Sequence, residues 1–190
     1  MAVAPRTRRF TVEEYHRMGE AGVLRPEDRV ELIEGEVIEM PPIGNHHASV
    51  VDRLNALMVR RVGDRAIVRV QGPVRFPALY SEPQPDLLLL KPRADYYAET
   101  GPGAEDVLLL IEVMDTSVDY DRRRKTPLYA RARVPEVWLV DLPASVVEVH
   151  RDPTDRGYRE IRTIRRGDVL TPGAFPDITL GLADLLGPTS

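Results

Sequence analysis

Two apolar runs in this sequence each carry one carboxylate. The first reads Pro85-Asp86-Leu87-Leu88-Leu89-Leu90, and the second reads Val107-Leu108-Leu109-Leu110-Ile111-Glu112-Val113-Met114. An isolated ionised carboxylate is very costly in an apolar site, so such a group is neutral, paired or bound to a cation. Shortly after the second run come Asp121, Lys125 and Tyr129, spaced by four residues, followed by Ala132. On a helix they form one stripe. Magnesium takes oxygen ligands and is typically held by one or two carboxylates plus water. A cation held by Asp86 and Glu112 would activate water and stabilise charge on a phosphoryl oxygen. Lys125 would add positive charge near the phosphate or orient the attacking water. Each piece alone also has a plainer reading. A glutamate near a strand end can sit at the surface, and an Asp–Lys pair four residues apart on a helix can be a solvated pair.

The elements that must position these groups follow from patterning. Alternation along the second run places Leu108, Leu110, Glu112 and Met114 on one face, and Leu109, Ile111 and Val113 on the other. If the two runs are neighbouring antiparallel strands, Asp86 and Glu112 lie close together. A helix is expected from about Val118 to Arg133, where Pro127 requires either a kink or a start near Thr126. Upstream, Thr11 and Glu14 form a capping box for a short helix to about Met18. Val30 to Met40 reads as a hairpin turning at Gly35. Its four glutamates fit an acidic edge that discourages strand pairing; alternatively Glu34 or Glu36 points into the site. Asn45 is expected to cap an amphipathic helix from His46 to about Val62, with Val50, Val51, Leu54, Leu57 and Met58 on its apolar side. Of the two histidines that open it, His47 is the one expected to face the site.

Ala66–Val70 and Val74–Phe76 are strand-like, and Gln71 between them could point inward. Arg93 to Glu105 is a loop long enough to be a functional lid. Pro135–Asp141 is a further strand, Ser145–Arg151 and Tyr158–Thr163 a hairpin, and a tail runs from Gly167. This order indicates an α/β (α+β) sheet covered by helices.

A length of 190 residues fits one domain. Apolar and charged contents of 43% and 29% are those of an ordinary soluble globular chain. With a net charge of −4, a nucleic-acid partner would have to be held by a local patch or a bridging metal. The absence of cysteine excludes disulfides and thiolate zinc sites. No apolar run is long enough to span a bilayer. The basic N-terminus has no apolar segment of the kind a secretory signal needs, so a cytoplasmic location is expected. Of 26 basic residues only Lys91 and Lys125 are lysines, which singles out Lys125, because lysine and arginine are not interchangeable.

Taken together, several segments resemble the Uma2 family of restriction-endonuclease-like proteins, over roughly Thr11 to Arg151. They are Glu31-Leu32-Ile33-Glu34-Gly35-Glu36-Val37; His47 with Leu54; Pro85-Asp86; Ile111-Glu112-Val113-Met114-Asp115-Thr116-Ser117; Asp121, Lys125 and Tyr129; and Val134-Pro135-Glu136-Val137-Trp138-Leu139-Val140-Asp141. That family is similar to the PD-(D/E)XK nucleases. The resemblance implies a mixed β-sheet flanked by helices with an N-terminal hairpin extension. It divides the single domain, 1–190, into helix and hairpin (11–44), nuclease-like core (45–151) and C-terminal hairpin strand and tail (152–190).

The resemblance also implies a Mg²⁺ (or Mn²⁺) cofactor, a nucleic-acid substrate, DNA in the first instance, and a homodimer. The Val137–Val149 strands and the tail are candidates for its interface. Asp86 and Glu112 take the metal-ligand positions and Lys125 the catalytic lysine's role. Glu34, Glu36, His47, Gln71, Asp121 and Tyr129 are accessory candidates, and Arg122 to Arg124 could meet phosphate. One departure stands out: the motif's lysine belongs two residues after Glu112, where this chain has Met114. The alternative reading is a catalytically degenerate module that binds nucleic acid or a protein.

Overall fold

The computed structural model describes residues 7–25 and 27–187; the first six residues of the basic N-terminus lie outside the described residues. Helix α1 (Val12–Glu20) opens with the expected capping box, Thr11 and Glu14 each bonding the other's backbone N–H. Strands β1 (Val30–Ile33) and β2 (Glu36–Glu39) form the hairpin. Its turn residues Glu34 and Gly35 both have positive φ, 51° and 81°, as a two-residue turn that matches strand twist requires. Helix α2 (Asn45–Val62) follows. Its N-cap is Gly44 rather than the expected Asn45, and the cap has no side-chain hydrogen bond.

The main sheet contains β3 (Ile67–Val70), β4 (Leu87–Leu90), β5 (Val107–Met114), β6 (Glu136–Asp141), β7 (Val146–Thr154) and β8 (Gly157–Ile164), side by side in that order. All neighbours are antiparallel except β5 and β6. A parallel pair needs a crossover, usually helical. Here it is α3, residues 118–131. The helix does not restart at Pro127. It runs α over Val118–Tyr120, widens to a π-helical turn over Asp121–Lys125 and returns to α over Thr126–Arg131. Pro127 cannot donate to the carbonyl four residues back. The wider turn just before it carries the chain past that gap, with the Thr126 hydroxyl donating to the Asp121 carbonyl at 2.8 Å.

Each face of the sheet is covered. On one, α2, the small hairpin β9 (Val169–Leu170) and β10 (Leu180–Gly181), and α4 (Leu182–Leu186) pack on Leu87, Leu89, Leu109, Ile111, Val113, Trp138 and Val140. On the other, α3 and Ile33 of the hairpin pack on Leu88, Leu90, Leu110, Met114, Val137 and Leu139. The expected alternation of β5 holds except at Leu108, which packs with the α2 side. A bulge between Leu89 and Leu90 sets Leu90 opposite Val107, and the extra residue shifts the phase.

Two further expectations are corrected. Val74–Phe76 is not a strand; Arg75 and Phe76 make only isolated bridges, to Gly103 and Ser81. The 93–105 loop is not a lid on the carboxylates. It leaves the end of β4 opposite Asp86 and is pinned by Arg93 stacked on Tyr97 and by the Tyr97 hydroxyl donating to the Lys91 carbonyl at 2.8 Å. Every residue of β6 is buried in mid-sheet.

Candidate active site

The register of β4 and β5, with Leu87 opposite Ile111, places Asp86 opposite Glu112 one step further along. The Gln71 amide donates to the Asp86 carbonyl at 3.0 Å, so Asp86 continues the edge of the sheet although β4 itself begins at Leu87. Both carboxylates line a cleft of about 410 Å³. Its walls are the ends of β4 and β5, the hairpin, the start of α2 and the first turns of α3.

Glu112 is 3% exposed and Lys125 5%. The Lys125 Nζ lies 2.7 Å from Glu112 Oε1, 3.4 Å from Glu31 Oε2 and 3.9 Å from Asp121 Oδ1. The Tyr129 hydroxyl donates to the same Glu112 oxygen. Burial pushes the Glu112 carboxyl up to about 8, against the pull of the Lys125 ammonium. Burial alone would lower Lys125, but the facing Glu112 carboxylate, followed by Tyr129, Glu31 and Asp121, holds it above the ordinary lysine range. Burial also raises Asp121, opposed by Lys125 and by the Ser117 hydroxyl that donates to it.

Asp86 is held differently. Its Oδ2 accepts from the Val113 backbone N–H at 2.8 Å and from His47 Nε2 at 3.1 Å. That bond raises the His47 imidazole above its usual range despite burial. Asp86 Oδ1 has only a long contact, 3.4 Å, from the Gln71 side chain.

Of the residues expected from sequence, Asp86, Glu112, Lys125, Asp121, Tyr129 and His47 thus come together, while Gln71 reaches Asp86 from an exposed position at the margin. Glu34 and Glu36 do not enter. Glu34 pairs with Arg131 at 2.6 Å, and Glu36 with Arg124. They clamp the hairpin to α3. The hairpin glutamate that reaches Lys125 is Glu31, 2% exposed, which also accepts from the Gln84 backbone N–H at 3.1 Å. It lies two residues before Ile33 and so shares its inward face. Leu32 and Ile33 are both apolar, which hides that phase from the sequence alone. Nor are the three arginines before Lys125 gathered for phosphate. Arg122 pairs with Asp141 and Glu148, Arg124 with Glu36, and exposed Arg123 lies 3.7 Å from Asp119.

Among the described residues no three His, Asp or Glu side chains converge as a ready metal cage. The donor set nevertheless fits magnesium. One oxygen of each carboxylate is committed to protein donors. Asp86 Oδ1 is almost free, and Glu112 Oε2 has no hydrogen-bond partner among the described residues. Two carboxylates completed by water and phosphate oxygens are the usual magnesium set.

A sheet with one parallel crossover pair, helices on both faces and two acids with a lysine at its edge defines a restriction-endonuclease-like protein. The family described as "Uma2: Putative restriction endonuclease" matches residues 12–183, and the chain belongs to that family. The chain is also similar to a crystal structure described as "a putative nuclease belonging to DUF820", from Anabaena variabilis ATCC 29413. The two are 17% identical with a TM-score of 0.72, over 93% of this chain and 97% of the other. At that identity the likeness speaks for the fold. No curated protein matches the chain, and among the described residues no helix is long and apolar enough to cross a membrane.

Proposed function

We propose that this protein is a divalent-metal-dependent nuclease that hydrolyses phosphodiester bonds of nucleic acid. The observation that carries the reading is the placement of the Lys125 ammonium, 2.7 Å from Glu112 and reaching in from α3. Met114, in the motif's lysine position, is packed away in the core. A buried cation beside the acid of the motif supplies the charge that Met114 cannot.

Asp86 and Glu112 would hold Mg²⁺ or Mn²⁺, which when bound supplies an acidified water and neutralises phosphoryl charge. The chain's own groups do the rest. His47 and the Val113 N–H fix the Asp86 carboxylate. Tyr129 and Lys125 fix that of Glu112. Lys125 offers its remaining N–H groups to a phosphate oxygen or to the attacking water. In the reaction a water oxygen bonds to phosphorus and the bridging P–O bond breaks. One proton passes to solvent, and the departing alkoxide takes one up.

The test is cleavage of DNA and RNA, single- and double-stranded, with Mg²⁺ or Mn²⁺. Wild type should cut, chelator should stop it, and Asp86→Ala and Lys125→Ala should each lose at least about a hundredfold in rate. Binding of nucleic acid with no cleavage under any of these conditions would favour the degenerate binding module instead. Equal cleavage by wild type and both variants would place the activity in another site or a contaminant.

A further inference from the structure

The cleft is not lined like a groove for duplex DNA. Its titratable lining comprises six carboxylates, Glu31, Glu39, Asp86, Glu112, Asp115 and Asp121, against Arg29, Lys125 and His47. Proteins that grip a duplex neutralise many phosphates with Lys and Arg. Among the described residues, the only fixed cations against these six acids are Arg29 and Lys125, and the neighbouring arginines are already paired with acids. Two of the reacting groups also lie deep, Glu112 at 3% exposure and Lys125 at 5%, and the Asp86 side chain is 13% exposed.

Much of the rest of the lining is apolar in a way that the hydrolysis of a phosphate does not explain. The segment from the end of β2 to the start of α2 contributes Ile38, Met40, Pro41, Pro42 and Ile43 to the cleft. Ile43 is 40% exposed, and Pro41 and Pro42 are exposed as well. The Arg29 guanidinium braces this wall by donating to the Pro41 carbonyl at 2.9 Å. Tyr120 also lines the cleft, and its hydroxyl has no hydrogen-bond partner among the described residues. The cleft's volume, about 410 Å³, lies in the range of roughly 300–1,000 Å³ found for sites that enclose a small ligand.

We propose that the cleft takes nucleic acid as a single strand. One unpaired nucleotide enters with its base against the Ile38–Ile43 wall and its phosphate over Asp86, Glu112 and Lys125. An unstacked base has an apolar face for such a wall to cover, whereas a base inside a duplex shows it only edges. Binding through base contacts with few phosphate cations also implies a weak dependence on salt. The inference rests on the nuclease reading for where the phosphate lies, but its base site can be tested without turnover.

Two measurements test it. The first is cleavage of one labelled oligonucleotide, single-stranded and annealed to its complement, with Mg²⁺. The second is fluorescence anisotropy of the single strand and the duplex on the full-length Asp86→Ala protein, with and without the added change Ile43→Asp. Ile43 is exposed, so that change should leave the melting temperature intact, and Ile43→Val serves as the conservative control. The single strand should be cut and bound at least about tenfold better than the duplex. Ile43→Asp should weaken single-strand binding by about tenfold, and Ile43→Val should restore it. Duplex handled as well as single strand, or single-strand binding indifferent to Ile43→Asp, overturns the proposal and leaves the nuclease reading standing. Single-strand binding that depends on Ile43 without any cleavage supports the base site and sinks the nuclease reading.

Discussion

Lys125 is enclosed by Glu112, Glu31 and Asp121, and its removal would leave three acids buried near one another without a cation. Breaking a buried pair from one side typically costs about 3–5 kcal/mol. Protonation of Glu112, already pushed up by burial, would absorb part of that cost. Lys125→Met should therefore lower thermal stability measurably and abolish cleavage. Lys125→Arg should fare little better in cleavage, because a planar fork does not fit where a compact ammonium meets three carboxylates. A sharper test moves the lysine. Met114 shares the face of β5 with Glu112, so Met114→Lys combined with Lys125→Met returns an ammonium to the motif position. The double variant should recover at least about tenfold in rate over Lys125→Met alone, since acid–base and charge-stabilising groups contribute about 10²–10⁴-fold. A double variant no faster than the single one would show that the charge must come from α3. Activity that survives in Lys125→Met would remove the lysine from the mechanism altogether.

At the level of elements, the π-helical turn at Asp121–Lys125 sets which way Lys125 points. Such single wide turns often occur at functional sites. Pro127 favours it by withholding the N–H that a regular helix would use. Pro127→Ala restores that donor and should let α3 relax toward an even α-helix, leaving stability unchanged or raised while cleavage falls. Circular-dichroism melting and rate assays on the same preparation check this; a fall in melting temperature with cleavage intact would show that the proline acts only as packing. Here the limits of the sequence are physical. The two long apolar strands and their shared carboxylate edge were legible, because alternation fixes faces and antiparallel pairing fixes neighbours. Pro127 announced an irregularity but not its kind, since a kink, a restart and a wide turn satisfy the same missing N–H. Glu31 was hidden because two adjacent apolar residues leave the phase of β1 undecided. Glu34 and Glu36 misled because their arginine partners, Arg131 and Arg124, lie nearly a hundred residues away, beyond the reach of local patterning.

For the whole molecule, the site is a junction. The hairpin contributes Glu31, the sheet Asp86 and Glu112, the start of α2 His47, and α3 Asp121, Lys125 and Tyr129. Apart from Lys125, the polar groups gathered there are mostly acids, whose mutual repulsion a bound cation would relieve. A cation bound only by the folded state must then stabilise the whole chain, by about 2.7 kcal/mol at a hundred times its Kd. For a chain of this size each kcal/mol moves the melting temperature by roughly 2–4 °C. Saturating Mg²⁺ or Mn²⁺ should thus raise the wild-type midpoint by several degrees, and chelator should reverse the rise. Asp86→Asn keeps the shape but gives up one anionic ligand, and should show little of the shift. If the site is relieved by neutralisation alone, Asp86→Asn without metal should melt no lower than metal-free wild type, because one of the crowded charges is gone. A wild-type midpoint indifferent to both ions, or a shift equal in Asp86→Asn, would mean that these acids do not hold the metal. Lys125 and His47 would then be their counter-ions, and the junction would be a structural device and not a catalytic one.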